Sequence, residues 1–215
     1  MHLSPVEIRI LGALVEKEAT TPDNYPLSLN ALTNACNQTS NRDPVMDLDE
    51  NAVRNAVNSL RQQSLVRAVQ HSGSRVMKFQ HLIRERLNLD APALGVMCVL
   101  MLRGPQTSGE IRGRTSRLAE FTSVAEVEAV LESLSTHELV VQLARRPGQK
   151  EARYAHLLSG APAADAGDDA MPPGEPVPAA LGEDRISSLE VAVADLRGEL
   201  ADLRARLEDL VRQFE

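Results

Sequence analysis

Six side chains between positions 51 and 62 are the part of this sequence best suited to chemistry: Asn51, Arg54, Asn55, Asn58, Arg61 and Gln62. Arginine pairs bidentately with guanine, and asparagine or glutamine with adenine, through the base edges exposed in a DNA major groove. On a helix these residues share one face, while Val53, Ala56, Val57 and Leu60 share the opposite, apolar face. Asparagine is a mediocre helix former, so three of them on one exposed face want a reason. The chemistry on offer is direct reading of base pairs; the plain alternative is an ordinary solvated helix face.

A related stretch lies 74 positions on. Val53 aligns with Val127, Val57 with Leu131, Ser59-Leu60 with Ser133-Leu134, and Leu65-Val66 with Leu139-Val140. The outward positions of that second helix hold Glu126, Glu128 and Glu132. Three carboxylates repel phosphates, which points to packing or protein docking instead. Basic residues near the two following turns, Arg75 in the first copy and Arg145, Arg146 and Lys150 in the second, are candidates for single phosphate contacts. A long polar loop, Asn34–Pro44, occurs only in the first copy, and Asn41 and Arg42 are its functional candidates. The alternative is that its Asn, Asp and Ser residues form turns and cap helix ends, with Arg42 paired to a neighbour.

Catalysis finds little support. The five histidines show no metal or nucleophile spacing, and no glycine-rich phosphate loop occurs. His81 and His156 occupy equivalent positions in the two copies, which reads as structural. Cys36 and Cys98 stand far apart in apolar helical contexts and suggest neither a disulfide nor a metal site. The expectation is a non-enzymatic protein with no cofactor.

The elements that must position these residues repeat as a unit. Each copy shows two helices, then the helix just described, then two short strands around a polar turn. Ser4 and Glu7 frame a first capping box, with Pro5 at the first helical position; Thr107 and Glu110 frame another. A helix fits 28–36, Asp90 caps a further one that Gly104-Pro105 ends, and Asp47 to Glu50 and Ser123 to Glu126 open the two third helices. The strands fall at 65–69 and 76–79, and at 140–143 and 152–154. Three helices and a β-hairpin make a winged helix-turn-helix, so the fold class is mainly α with small β-hairpins, in tandem domains over 1–88 and 89–158.

Residues 159–183 are mostly Ala, Pro, Gly and Asp, a composition that predicts a disordered linker. From 184 to 215 a heptad pattern runs unbroken: Ile186, Val193, Leu200, Leu207 and Phe214 at a, with Leu189, Leu196, Leu203 and Leu210 at d. Leucine at every d predicts a coiled coil that makes the chain a homodimer; the alternative is an amphipathic helix docked on its own body. Net charge is −7 for the chain, but residues 1–160 carry 18 Lys/Arg against 17 Asp/Glu, so the acidity sits in the tail. A near-neutral body is not the footprint of a strong nonspecific DNA binder, though local patches matter more than totals. No basic leader precedes an apolar stretch, and the longest apolar run, 91–102, is too short to span a bilayer; cytoplasm is the expected compartment.

Several stretches resemble one known family. Residues 21–38 (Thr-Pro-Asp-Asn-Tyr-Pro through Ala-Cys-Asn-Gln), 40–45, 73–76 and 100–107 are similar to the YceH-like family of bacterial proteins, over residues 3–158. The resemblance implies tandem winged helices. It brings no established activity, and so no catalytic or binding residues to transfer. The two functional expectations are a regulatory or chromosome-associated protein that binds double-stranded DNA through its first domain, and an adaptor that docks a protein partner without DNA.

Overall fold

The computed structural model describes residues 2–70, 76–145 and 151–160. Helix α1, Pro5–Thr20, opens with a reciprocal cap: Glu7 N–H donates to Ser4 Oγ at 3.3 Å, and Ser4 N–H donates to Glu7 Oε2 at 2.7 Å. Every residue from Glu7 to Val15 is buried, so this stretch of the helix is enclosed on all sides. A 3-10 turn at Pro22–Asn24 leads to a two-residue strand β1, Leu27–Ser28, and to α2, Leu29–Cys36, capped by Ser28.

Helix α3 spans Glu50–Gln62 and is capped by Asp49, whose Oδ1 accepts Ala52 N–H at 2.7 Å. The cap is thus Asp49 and not Asp47 as the spacing suggests. The reason is local: the Asn37 amide holds both the N–H and the carbonyl of Leu48, at 2.9 and 2.8 Å, and keeps Leu48 out of the helix. Strands β2, Val66–Val69, and β3, Lys78–His81, follow and join β1 in an antiparallel sheet of order β1-β3-β2. Pairing in the second strand starts at Lys78, two residues later than the apolar pattern suggests. The register Val66↔His81 and Ala68↔Phe79 turns Phe79 and His81 inward and leaves Val76 and Met77 exposed. A single turn, α4 (Ile83–Arg86), connects to the second copy.

The second copy repeats the order. Helix α5, Ala91–Arg103, is capped by Asp90 and ends at Gly104, whose φ of +67° suits glycine. Helix α6, Ser108–Thr115, has the Thr107/Glu110 capping box, and α7, Val124–Thr136, is capped by Ser123. Strands β4, Val140–Gln142, and β5, Tyr154–His156, form the antiparallel pair. Gln106 adds a bridge to Tyr154, with hydrogen bonds of 3.1 and 2.8 Å, where the first copy has β1. The molecule is therefore mixed α and β, with small antiparallel sheets.

The two copies share one apolar core rather than each closing its own. Helix α5 is buried from Leu94 to Leu102 and lies against α1. Their approach is close at Gly12, whose carbonyl accepts the Cys98 thiol at 3.4 Å. The Leu3 N–H donates to Leu158 O at 2.8 Å, so the start of the first copy is tied to the end of the second. Among the described residues, no helix is long and apolar enough to cross a membrane.

Candidate nucleic-acid interface

Helix α3 is held from beneath by Val53, Val57 and Leu60, none more than 1% exposed. Each such side chain contributes about 1.5–3 kcal/mol of burial, so the helix orientation is fixed. Its carboxyl end is fastened to α1: Ser59 Oγ donates to Glu7 Oε1 at 2.6 Å and Gln63 Nε2 to the same oxygen at 3.2 Å. Burial alone would raise the Glu7 carboxyl, but the hydrogen bonds from Ser59, Ser4 and Gln63 outweigh it and hold its pKa below the ordinary value.

The opposite face is free. Asn51, Arg54, Asn55, Asn58, Arg61 and Gln62 are all exposed, and the structure brings all six together on one ridge. Arg54 pairs with Glu50 one turn back, and Arg61 donates to Asn58 Oδ1 at 3.3 Å. Both contacts are solvent-exposed and therefore weak, so either arginine can exchange them for a ligand. Arg67 on β2 extends the polar surface. With the Gln80 amide turned to present its oxygen, Arg67 Nε and Nη2 donate to it at 3.0 and 2.9 Å. In the residue order Arg67 is marked only as a charged residue at an outward position of an apolar strand. The exposed large apolar side chains among the described residues are Val45, Val76 and Met77, all in segments that flank α3 and its hairpin.

The loop candidates divide. Asn41 is exposed, with φ +60°. Arg42 is 5% exposed and is consumed inside the protein. Its guanidinium donates to both Glu16 carboxylate oxygens, at 3.1 and 2.6 Å, to Ala35 O and to Gln38 Oε1. Arg9, 1% exposed, donates to Cys36 O at 3.0 Å and Pro44 O at 2.5 Å. Two buried arginines thus satisfy the last carbonyls of α2 and brace the loop, a helix-end role rather than a ligand-facing one. Asp43 N–H donates to Leu102 O at 2.9 Å, which docks the loop on α5.

In the second copy Val127, Leu131 and Leu134 form the buried face of α7, matching α3 position for position. Glu126, Glu128 and Glu132 stand exposed on its surface. Glu126 is drawn onto Thr122, whose N–H and hydroxyl hydrogen-bond it and lower its pKa. Arg145 is exposed beyond β4. Arg75, Arg146, Lys150, the 161–183 part of the linker and the heptad residues from Ile186 to Phe214 lie outside the described residues.

The protein family described as "Protein of unknown function, DUF480" matches residues 3–149. A UPF0502 protein of Pelobacter propionicus is 50% identical over 218 residues, covering 100% of this chain and 99% of that protein. Similar proteins occur in Geotalea daltonii (48% identical over 190 residues, 87% of each chain) and Vibrio vulnificus (46% over 205 residues, 92% of this chain and 93% of that one). The chain belongs to the DUF480 family.

In this DUF480 protein the family match takes in the α3 ridge, the braced loop and the acidic α7 together. The Pelobacter relative is similar along the whole chain, heptad segment included. The equivalent histidines close the two hairpins, His81 opposite Val66 and His156 opposite Val140. Burial lowers both imidazoles, His156 to about 4, while Glu18 Oε2, 2.9 Å from His81 Nε2, opposes the shift at His81. Both therefore favour the neutral ring.

Proposed function

We propose that each unit of three helices and a hairpin is a winged helix-turn-helix, and that the first one binds double-stranded DNA through α3. The observation that supports this reading is the six-residue ridge of Asn, Arg and Gln, exposed on a helix whose other side is locked into the core. The hairpin β2–β3 is the wing, with Arg67 at its root. The heptad segment ties two chains into a dimer in the cytoplasm, and the linker lets two reading heads reach half-sites at different separations. The role is regulatory or chromosome-associated and not enzymatic. Fluorescence anisotropy with duplexes selected from a random pool tests it: Arg54→Ala with Arg61→Ala weakens the selected duplex at least tenfold and erases its advantage over a scrambled one. Unchanged affinity and unchanged preference would remove the proposal.

A second reading is a protein-docking module, favoured by one specific observation: the exposed carboxylates of α7. It expects partners that survive nuclease treatment of a lysate and are lost when Glu126, Glu128 and Glu132 are changed to Gln.

A further inference from the structure

The six polar residues of α3 divide into two lines along the helix. With a turn of about 100° per residue, Asn51, Asn55, Asn58 and Gln62 fall within about 60° of arc. Arg54 and Arg61 stand about 40–60° further round, and Glu50 lies beyond them. Arg54 holds Glu50 on that margin at 2.5 Å. Asp47 and Asp49 precede the first turn, and Asp49 is bound to Ala52 N–H. The centre of the ridge is thus a neutral line of four carboxamides, and the charges stand to one side or before the helix.

These carboxamides are not spent on the protein. Among the described residues, the side chains of Asn51, Asn55 and Gln62 make no hydrogen bond, and Asn58 only accepts from Arg61 at 3.3 Å in an exposed contact. Amides one turn apart can satisfy each other: on α2, Asn34 Nδ2 donates to Asn30 Oδ1 at 3.3 Å. The pairs Asn51/Asn55 and Asn58/Gln62 have the same spacing and make no such bond. The scaffold does not require them either. Helix α7 has the same length and the same buried triplet, and its matching exposed positions are Ala125, Ala129, Glu132 and Thr136.

A carboxamide presents a donor and an acceptor side by side. In the major groove adenine offers the complement on one base, with N7 accepting and N6 donating. Guanine offers two acceptors, thymine one acceptor and cytosine one donor. A line of carboxamides therefore matches neighbouring A·T pairs. From Asn51 to Gln62 the line runs about 16 Å along the axis, against about 3.4 Å per base pair, a reach of about four or five pairs.

We infer that Asn51, Asn55, Asn58 and Gln62 make α3 selective for a half-site whose core is a run of A·T pairs, read through N7 and N6 of adenine in the major groove, with Arg54 and Arg61 reading guanine at one margin. This rests on the DNA-binding reading of α3 and names the sequence class that it selects.

The test enriches duplexes from a random pool with the full chain, sequences them and measures affinity by anisotropy. The enriched core is A·T. Asn55→Ala with Asn58→Ala weakens the enriched duplex about five- to hundredfold and admits G·C pairs into the core. Its thermal melt does not fall, because alanine is the better helix former. Adenines of the core are then replaced one at a time by 7-deazaadenine, which lacks N7. At one position or more the wild-type chain loses about fivefold or more, and the Asn55/Asn58 variant loses nothing further there. A core that enriches as G·C pairs overturns this inference, and so does an A·T core in which 7-deazaadenine costs nothing at every position. In both cases the α3 reading stands if Arg54→Ala with Arg61→Ala still loses the enriched duplex, and falls if it does not. A wild-type chain that enriches no sequence overturns both.

Discussion

Helices α3 and α7 occupy the same place in the two copies and are built on the same buried triplet, Val53, Val57, Leu60 and Val127, Leu131, Leu134. Their outer faces have opposite chemistry. One carries asparagines and arginines, the other Glu126, Glu128 and Glu132. Packing constrains the inward positions, because each loses its burial if changed. Nothing of the kind constrains the outward ones, so a duplicated scaffold can hold two surfaces with different partners. The second difference lies between α2 and α3, where the first copy has the braced loop and the second has a short connection between α6 and α7. That loop bridges the copies, since it reaches both α1 and α5.

The largest expected effect breaks this asymmetry at its root. Arg42→Ala strands the Glu16 carboxylate and leaves Ala35 O without its donor. Removing one partner of a buried ion pair costs about 3–5 kcal/mol, and for a chain of this size each kcal/mol lowers the melting temperature by about 2–4 °C. Arg114→Ala, which loses only the surface pair with Glu110 in the second copy, stays within about 0.5 kcal/mol of wild type. Thermal denaturation followed by circular dichroism measures both. A loss below about 1 kcal/mol for Arg42→Ala means that the loop is held mainly by its other bonds.

How much of this is legible from residue order follows from what each signal depends on. Both capping boxes, Ser4/Glu7 and Thr107/Glu110, read directly, because their hydrogen bonds join residues three apart and need no tertiary context. The exposed ridge of α3 reads equally well, since one helical period sorts inward from outward. Strand β1 and helix α4 leave no trace, because two residues show no alternation and four show no period. Arg42 is misleading in the other direction: inside a polar run it looks solvated, and only the fold supplies Glu16 and the α2 carbonyls. The fused core is equally silent. Helix α5 is apolar almost throughout and α1 is apolar over most of Ile8–Val15, and neither pattern names the helix each will meet.

The junction between the copies is tested next. An ideal Cβ at Gly12 would stand 2.8 Å from Leu102 Cγ and Cδ2 and 3.2 Å from Met101 Cβ. Gly12→Ala gains about 0.5–1 kcal/mol of helix propensity but overpacks a fully enclosed crossing at about 1–3 kcal/mol, so the net change is a loss. A stabilised Gly12→Ala chain would show that the two copies can slide apart at no cost, which contradicts a shared core.

Acid separates the two hairpins. The His156 pKa is lowered from an ordinary value near 6.5 to about 4 by burial. A depressed folded pKa means that the unfolded chain binds more protons between those values, so the contribution is complete above 6.5 and is lost as pH falls towards 4. The pKa of His81 is lowered too, but Glu18 works against the shift. His156→Gln therefore flattens the rise of stability with pH across this window more than His81→Gln does, measured as urea midpoints at successive pH values. Equal flattening would mean that Glu18 does not favour the charged ring at His81.

The smallest effect concerns the second helices. Helix α2 contains no glycine, whereas α6 carries Gly109 and Gly113 within eight residues. A Cβ at Gly113 would meet nothing within 4 Å. Gly113→Ala therefore keeps every contact, lowers the entropy of the unfolded chain and raises stability by about 0.5–1 kcal/mol. The same substitution that costs stability at the crossing of α1 and α5 thus adds it on the open face of α6. If Gly113→Ala were instead destabilising, its backbone would have to be closely approached by something in the full chain, and that face of the second copy would be an occupied surface rather than a bare one.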